Sequence, residues 1–301
     1  MRVGLVTNWG DHCSIAEYAK NLTEYLPSDI QVTIVPKPFT VDDILSRVQD
    51  VDIIHFNYIA YHMDHSVIDG VCRGKKSIQK TLITYHETPD GNLFQDNALV
   101  DAIVLHEPQW ENVSKVHLIP NGIRLVNTDD IKRTPKLGSA GFAYKHKRFD
   151  LVVDAAKALG LECLLLTPKA DCWDEPSKYD SVEVVTDYLP YDDVIRRLAE
   201  CFITVFPYDE NYPNIGIGNA VRFGLASGNS VIVTNHHHFR DLNMYKDEIY
   251  FVETNVIDTV KLVQQDIAEG KQKIPTKLLS DMSWEASASK YVDLYNTLLQ
   301  G

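Results

Sequence analysis

Short runs of β-branched and other apolar residues alternate along the chain with segments whose apolar positions recur at helical spacing. This is the pattern of parallel sheets joined by crossover helices. In the first half, the apolar runs predict strands over 3–7, 31–35, 52–57, 81–85, 102–105 and 116–119. Between the first two, Ile15, Tyr18, Ala19, Leu22 and Leu26 fall on one helical face, and Ser14 stands where a cap is wanted. From 124 to 137 the pattern lapses into polar residues, with Asp129-Asp130, Lys132-Arg133 and Thr134-Pro135, and reads as an interdomain linker. A second series follows, with strands over 139–142, 163–167, 182–186, 202–206, 231–234 and 249–252 and helices over 149–159, 192–200 and 256–268. A last helix over 283–299 carries Trp284, Ala288, Tyr291, Leu294, Tyr295 and Leu298, a stripe too wide for an exposed tail. The division predicted is a first α/β domain over 1–125, a linker over 126–137, a second α/β domain over 138–282, and a helix over 283–301 that packs on the first. Two like domains in tandem imply a cleft between them.

The most pointed local feature is the glycine-rich turn that begins at Asn214 and leads through Ala220 into a helix and then a buried strand. Gly216 and Gly218 let the main chain approach a ligand without a Cβ in the way, and the unpaired N–H groups of a first helical turn suit a phosphate. Upstream, the apolar run 201–206 ends in Phe206-Pro207-Tyr208, which puts the turn at the carboxyl edge of a sheet, where open α/β sheets keep their ligands. The same glycines also allow close helix–strand packing, and the glycine pattern by itself does not separate the two uses.

Composition narrows the classes. The 301 residues, 45% apolar and 24% charged, suffice for two cores of ordinary size. No apolar run reaches the ~18 residues of a spanning helix, and Met1 leads directly into a strand-like segment without the layout of a signal peptide, so a cytoplasmic protein is expected. Cys13, Cys72, Cys163, Cys172 and Cys201 are odd in number and lack C-x-x-C spacing, which indicates neither a disulfide framework nor a zinc site. A formal charge of −13 argues against general affinity for nucleic acid or anionic lipid. Against that acidic background, Lys145-His146-Lys147-Arg148 is the densest cationic cluster, either a solvated loop or a local anion pocket.

Taken in order, several segments resemble retaining glycosyltransferases of family 4, whose fold is GT-B, with two Rossmann-like domains facing across a cleft. Cys13-Ser14-Ile15-Ala16-Glu17-Tyr18 is similar to the Gly-Ile-Ala-Glu-Tyr opening of one branch, and 116–123 to the family's end of the first domain. Gly141 to Lys147, followed by a helix, resembles the segment that opens the donor domain. Gly218-Asn219-Ala220-Val221-Arg222, with Gly228 and the next strand, resembles the branch's Ser-Gly-Ala-x-Arg helix; Ser283-Trp284 with Tyr291 and Tyr295 resembles the family's closing helix.

The resemblance implies transfer of a sugar from a nucleoside-diphosphate donor, such as a UDP- or GDP-sugar, to a small-molecule or glycan acceptor, with retention and with neither metal nor cofactor. A diphosphate needs cations and oriented donors, which Lys147, Arg148 and the amides of Gly218, Asn219 and Ala220 can supply. Gly141, Glu210, Asn214, Gly216, Ile217 and Arg222 complete the implied donor set. Leaving-group stabilisation would then be electrostatic. His86 follows a predicted strand, and the resemblance gives it a contact with the donor sugar; the alternative is a histidine satisfying loop backbone. His106 is a further candidate of the same kind. Trp9, Gly10, Asp11, His12, Ser14 and Glu17 correspond to the family's loop around acceptor and phosphates, with Ser14 in place of the usual glycine. Trp9 could stack on a sugar or simply pack. His236-His237-His238 reads as a polar loop, because three adjacent imidazoles do not readily face one metal. The pairs Asp42-Asp43, Asp129-Asp130 and Asp192-Asp193 suit capping or solvation.

The chain departs from the family at the donor-site acids. The positions of the two usual glutamates fall at Ile215 and Phe223, and Phe142 replaces an arginine. Glu210, Asn211, Asn214 and Asn219 are the nearby polar groups that could substitute. Two other readings therefore stand beside the enzyme: a non-catalytic nucleotide-sugar-binding protein on the same fold, and a glycosyltransferase acting on nucleic-acid bases, which the negative charge disfavours.

Overall fold

The computed structural model describes residues 1–60, 62–87, 98–110, 113–168, 182–209, 211–212 and 217–301. It divides into two compact units, the first built from Met1–Gly122 and Trp284–Gly301 together with Ile217, and the second from the other described residues between Ile123 and Ser283. Among the described residues, no helix is long and apolar enough to cross a membrane.

In the first unit, six parallel strands, β1 (Arg2–Val6), β2 (Gln31–Val35), β3 (Ile53–Tyr58), β4 (Lys80–Tyr85), β5 (Ala102–Leu105) and β6 (Val116–Leu118), lie in the order β2-β1-β3-β4-β5-β6. Successive residues of a strand face opposite sides. Ile54 and Ile83 accordingly pack with Ile44 and Ile68 on one face, while Ile53 and Leu82 pack with Tyr18, Leu22 and Trp284 on the other. Burial on both faces is why β3 and β4 read as near-continuous apolar runs. Helices α1 (Ser14–Tyr25), α2 (Val41–Arg47) and α3 (His65–Gly74) make the crossovers. The cap of α1 is Cys13, whose sulfur accepts from the Ala16 amide at 3.4 Å, and Ser14 is the first helical residue rather than the cap.

The closing helix, Trp284–Gln300, belongs to this unit. Trp284 is 1% exposed and lies against Gly122, where no Cβ would fit. Behind it runs a buried hydrogen-bond chain. Tyr295 Oη meets His55 Nδ1 at 2.8 Å, His55 Nε2 meets Thr84 Oγ1 at 2.8 Å, Thr84 meets Tyr291 Oη at 2.8 Å, and Tyr291 meets Tyr18 Oη at 2.7 Å. An apolar stripe drives the helix onto the sheet, and these paired polar tips remove the desolvation cost that buried hydroxyls would otherwise carry.

The second unit also has six parallel strands: β7 (Thr134–Ala140), β8 (Glu162–Leu166), β9 (Val182–Val185), β10 (Cys201–Phe206), β11 (Ser230–Val233) and β12 (Tyr250–Phe251). Their order, β12-β11-β10-β7-β8-β9, is that of a doubly wound dinucleotide-type sheet, with the strand order reversing between β7 and β10. Helices α4 (Phe149–Leu159), α5 (Tyr191–Ala199), α6 (Ala220–Ala226), α7 (Val256–Ala268) and α8 (Thr276–Asp281) complete it. The sequence pattern starts the first of these strands at 139; the structure starts it at Thr134, inside the segment that reads as linker. Its polar start is satisfied by partners far along the chain. The Thr134 amide donates to Glu200 O at 2.8 Å, and Lys136 reaches Glu183 on β9 at 3.2 Å.

Candidate functional site

The carboxyl ends of β7 and β10 carry the residues that converge in the second unit. Gly141 follows β7 with φ +114°, a conformation that L residues rarely adopt. A Cβ built there would collide with Lys147 Nζ and come within 3.1 Å of Ala220 Cβ, so Gly141, Lys147 and the start of α6 meet at one point. Lys147 ends a short 3-10 turn, Lys145–Lys147, and its ammonium stands 5.5 Å from the ring centroid of the buried Tyr208. No carboxylate among the described residues pairs with it, and burial lowers its pKa to about 8. Arg148 differs. Its guanidinium is held by Asp150, with Nη2 at 2.8 Å and Nε at 3.0 Å, and that bond keeps its pKa above the usual value. Its backbone, at φ 50°, turns the chain into α4.

The glycine turn is braced from within the same unit. The Gly218 amide donates to His238 O at 2.9 Å, so of the three amides proposed for phosphate it is already engaged. Arg222 is fully buried; its Nη1 donates to Gly218 O at 2.9 Å and its Nη2 pairs with Asp241. It clamps the turn rather than presenting charge to a ligand. Asn219 is the N-cap residue of α6, Ala220 begins that helix, and Ile217 is partly buried just ahead of it. Phe223, one of the two positions at which the resemblance leads one to expect an acid, packs on Tyr191 with ring centroids 4.6 Å apart. Glu210, Asn214, Ile215 and Gly216 lie outside the described residues; Asn211 is exposed.

His236, His237 and His238 are not a solvated loop. They open the 3-10 stretch His237–Tyr245, with His236 and His238 buried and candidate ligand atoms of all three within 4.8 Å of one another. His146 lies alongside, stacked on Tyr212 at 3.9 Å and edge-on to His238 at 5.9 Å. Burial lowers His146 and His236 to about 4 and His238 to about 2, so these three are uncharged at neutral pH. His236 Nδ1 accepts the His238 amide at 3.1 Å, which puts the ring proton on Nε2 and leaves His236 no lone pair for an ion. A three-histidine metal centre would require that cap to break.

In the first unit, His86 follows β4. Its amide donates to Tyr58 O at 3.1 Å, its Nε2 lies 3.3 Å from Asn57 Oδ1, and its ring meets the edge of Tyr18 at 4.6 Å. Burial, with lesser contributions from His106 and His55, lowers its pKa well below the usual value, so the imidazole is neutral. His106 is buried and bonded through Nδ1 to Ile119 O at 2.7 Å, a backbone-satisfying role. In the loop before α1, Trp9 is 41% exposed, Gly10 takes φ +85°, and Asp11 pairs with Lys37 at 2.8 Å. His12 and Ser14 are exposed, while Glu17 is half-buried in the first turn of α1. Sequence alone offers no role for Tyr208 beside Lys147, for Asn57 beside His86 or for Thr7 beside Asn57. Buried polar residues within an apolar strand run, such as His55 and Asn57 in Ile-Ile-His-Phe-Asn-Tyr, were the available signal.

Two doubly wound units with the closing helix returned to the first define a GT-B fold. Solved structures of that kind superpose over the whole chain. The structure of Anabaena HepE in complex with UDP and glucose matches with a TM-score of 0.75 at 10% identity, over 99% of this chain and 100% of that one. Sucrose-phosphate synthase from Thermosynechococcus elongatus matches at 0.73 and 13% identity, over 100% and 99%. An α-glucosyltransferase in complex with UDP and a mismatched 13-mer DNA matches at 0.67 and 10% identity, over 100% of both. No protein-family model and no curated protein matches the chain.

Proposed function

We propose that this protein is a cytoplasmic glycosyltransferase that takes a sugar from a nucleoside-diphosphate donor. The carrying observation is Lys147, an ammonium without an acidic partner among the described residues, at the point where the second sheet reverses its strand order. Holding a desolvated, unpaired cation costs folding energy, and a diphosphate is the anion that such a position beside Gly141 and the start of α6 would repay. We assign the nucleoside diphosphate to the second unit. As the glycosidic C–O bond breaks, negative charge grows on the departing diphosphate, and a fixed ammonium stabilises it in the transition state more than in the ground state. To the first unit we assign the sugar and acceptor contacts, through His86 and the loop bearing Trp9 and His12. Neutral His86 would act as a hydrogen-bond partner and not as a charge.

Supporting the reading, solved structures with this fold include HepE holding UDP and glucose and an α-glucosyltransferase holding UDP. We assign retention, in keeping with the family resemblance, and no metal, because Lys147 supplies the charge at the leaving group. The acidic chain, net −13, favours a small neutral or glycan acceptor over nucleic acid. The test is a thermal-shift screen against UDP, GDP, ADP, dTDP and CDP and their common sugars, with chelator present, followed by donor hydrolysis and the anomeric form of the product. One base should raise the melting temperature by several degrees, with slow hydrolysis lost in Lys147→Met. Binding without turnover under any acceptor would leave a nucleotide-sugar-binding protein on this fold.

A further inference from the structure

The first sheet ends, on the side where its strand order reverses, in a short polar relay across three adjacent strands. Thr7 follows β1, Asn57 is near the end of β3, and His86 follows β4. Thr7 is fully buried and Asn57 is 2% exposed, so their side-chain polar groups have little access to water and must find partners in the protein. They find each other. Asn57 Nδ2 donates to Thr7 Oγ1 at 3.3 Å, and Asn57 Oδ1 faces His86 Nε2 at 3.3 Å.

We infer that Asn57 is a positioning residue that holds His86 as its Nε2–H tautomer, so that His86 meets its ligand with the bare lone pair of Nδ1. With Asn57 Nδ2 donating to Thr7, the carboxamide oxygen is the atom turned to the ring, and because that oxygen only accepts, the ring nitrogen facing it carries the proton. A neutral imidazole has one N–H, and with the proton on Nε2 the other nitrogen can only accept. Among the described residues Nδ1 has no hydrogen-bond partner. The neighbouring rings, Tyr18 at 4.6 Å and His106 at 5.5 Å, fix the plane of the imidazole without competing for that lone pair. His106 Nδ1 is bonded to Ile119 O and Tyr18 Oη to Tyr291 Oη. Resting on the glycosyltransferase reading, this makes His86 an acceptor for a hydroxyl of the transferred sugar, and it excludes His86 as the acid that protonates a leaving group.

The experiment is a long-range proton–nitrogen spectrum of histidine-labelled full-length protein, with the His86 signals identified by their loss in His86→Gln. The wild type should show His86 with its proton on Nε2, and Asn57→Ala should give a mixed or reversed tautomer. Should Asn57→Ala fail to fold, Asn57→Asp serves: the carboxylate keeps the Nε2–H form and raises the apparent pKa of His86, whereas a residue that only fills space would not move it. Donor hydrolysis should fall about tenfold in Asn57→Ala, the worth of one aligned hydrogen bond, and recover in part in Asn57→Asp. A proton on Nδ1 in the wild type would mean that the Asn57 amide is turned the other way, and it would overturn the inference. So would an unchanged pure tautomer in Asn57→Ala. The two readings fail separately: the expected tautomer in a protein without turnover removes the enzyme and keeps the relay, and turnover with the opposite tautomer does the reverse.

Discussion

The ammonium of Lys147 occupies the space that a β-carbon on Gly141 would take. A glycine at the end of β7 is therefore doing two things, accepting φ +114° and leaving room for the cation. Gly141→Ala should cost about 1–2 kcal/mol in backbone strain and weaken UDP-type ligands at least about tenfold by displacing the ammonium. Gly160, at φ +65° with nothing within 4 Å of a built Cβ, is the control. Gly160→Ala should destabilise by a similar amount, about 1 kcal/mol, and leave ligand affinity unchanged. Equal loss of affinity in both would show that strain, not the position of Lys147, is being measured.

Burial holds Lys147 near a pKa of about 8, against its ordinary 10.5. An anionic diphosphate binds the ammonium form, so above pH 8 binding must take up a proton, and affinity should fall by up to about tenfold per pH unit. The folding equilibrium runs the other way. Between pH 8 and 10.5 the unfolded chain still holds the proton that the folded chain has released, so this group's contribution to stability rises with pH in that window. Lys147→Met should therefore bind donors weakly at every pH, lose the pH slope, and unfold at a higher temperature than the wild type at pH 7. Titration calorimetry at pH 7, 8 and 9 with parallel melts checks all three; a wild-type affinity that is flat across that range would remove Lys147 from the phosphate site.

What the sequence conceals here is mostly what depends on distant partners. The buried parallel strands are legible, because residues covered on both faces must be apolar, and β2 and β5 fall where the pattern puts them. Thr134 and Lys136 look like linker because the partners that make them strand, Glu200 and Glu183, lie 66 and 47 residues away. At 7 residues α2 is too short to show a helical period. Lys147 stood out as a cation in an acidic chain. Arg222 was misleading for the same reason: a cation four residues past a glycine invites a phosphate, and only the fold shows Asp241 already holding it.

The Arg222–Asp241 pair gives the third prediction. Both side chains are buried, and Arg222 also secures the Gly218 carbonyl. Removing one charge strands the other in a poorly solvated place, so Arg222→Met should cost about 3–5 kcal/mol. Replacing both, Arg222→Met with Asp241→Leu, removes the stranded charge and should regain a large part of that loss. Urea unfolding of the two single variants and the double variant measures the coupling. Additive losses would mean that the pair does not act as a unit.

The hydrogen-bond chain beneath the closing helix makes the fold acid-sensitive at one identifiable residue. His55 is fully buried between Tyr295 and Thr84, and burial lowers its pKa to about 3 from an ordinary 6.5. Below pH 6.5 the unfolded chain gains a proton on His55 that the folded chain refuses, so stability falls as pH drops from 6.5 towards 3. The slope from this group is on the order of 1 kcal/mol per pH unit. Other histidines with lowered pKa values, His86, His146, His236 and His238, act in the same direction, so the informative quantity is a difference between proteins. His55→Gln should be less stable than wild type at pH 7 but should lose less on going to pH 5, by on the order of 2 kcal/mol. Tyr295→Phe, which keeps His55 and removes one partner, should cost about 1–3 kcal/mol at pH 7 and retain most of the acid slope. Identical pH 7-to-5 losses in wild type and His55→Gln would place the acid sensitivity elsewhere and leave the His55 chain a packing device only.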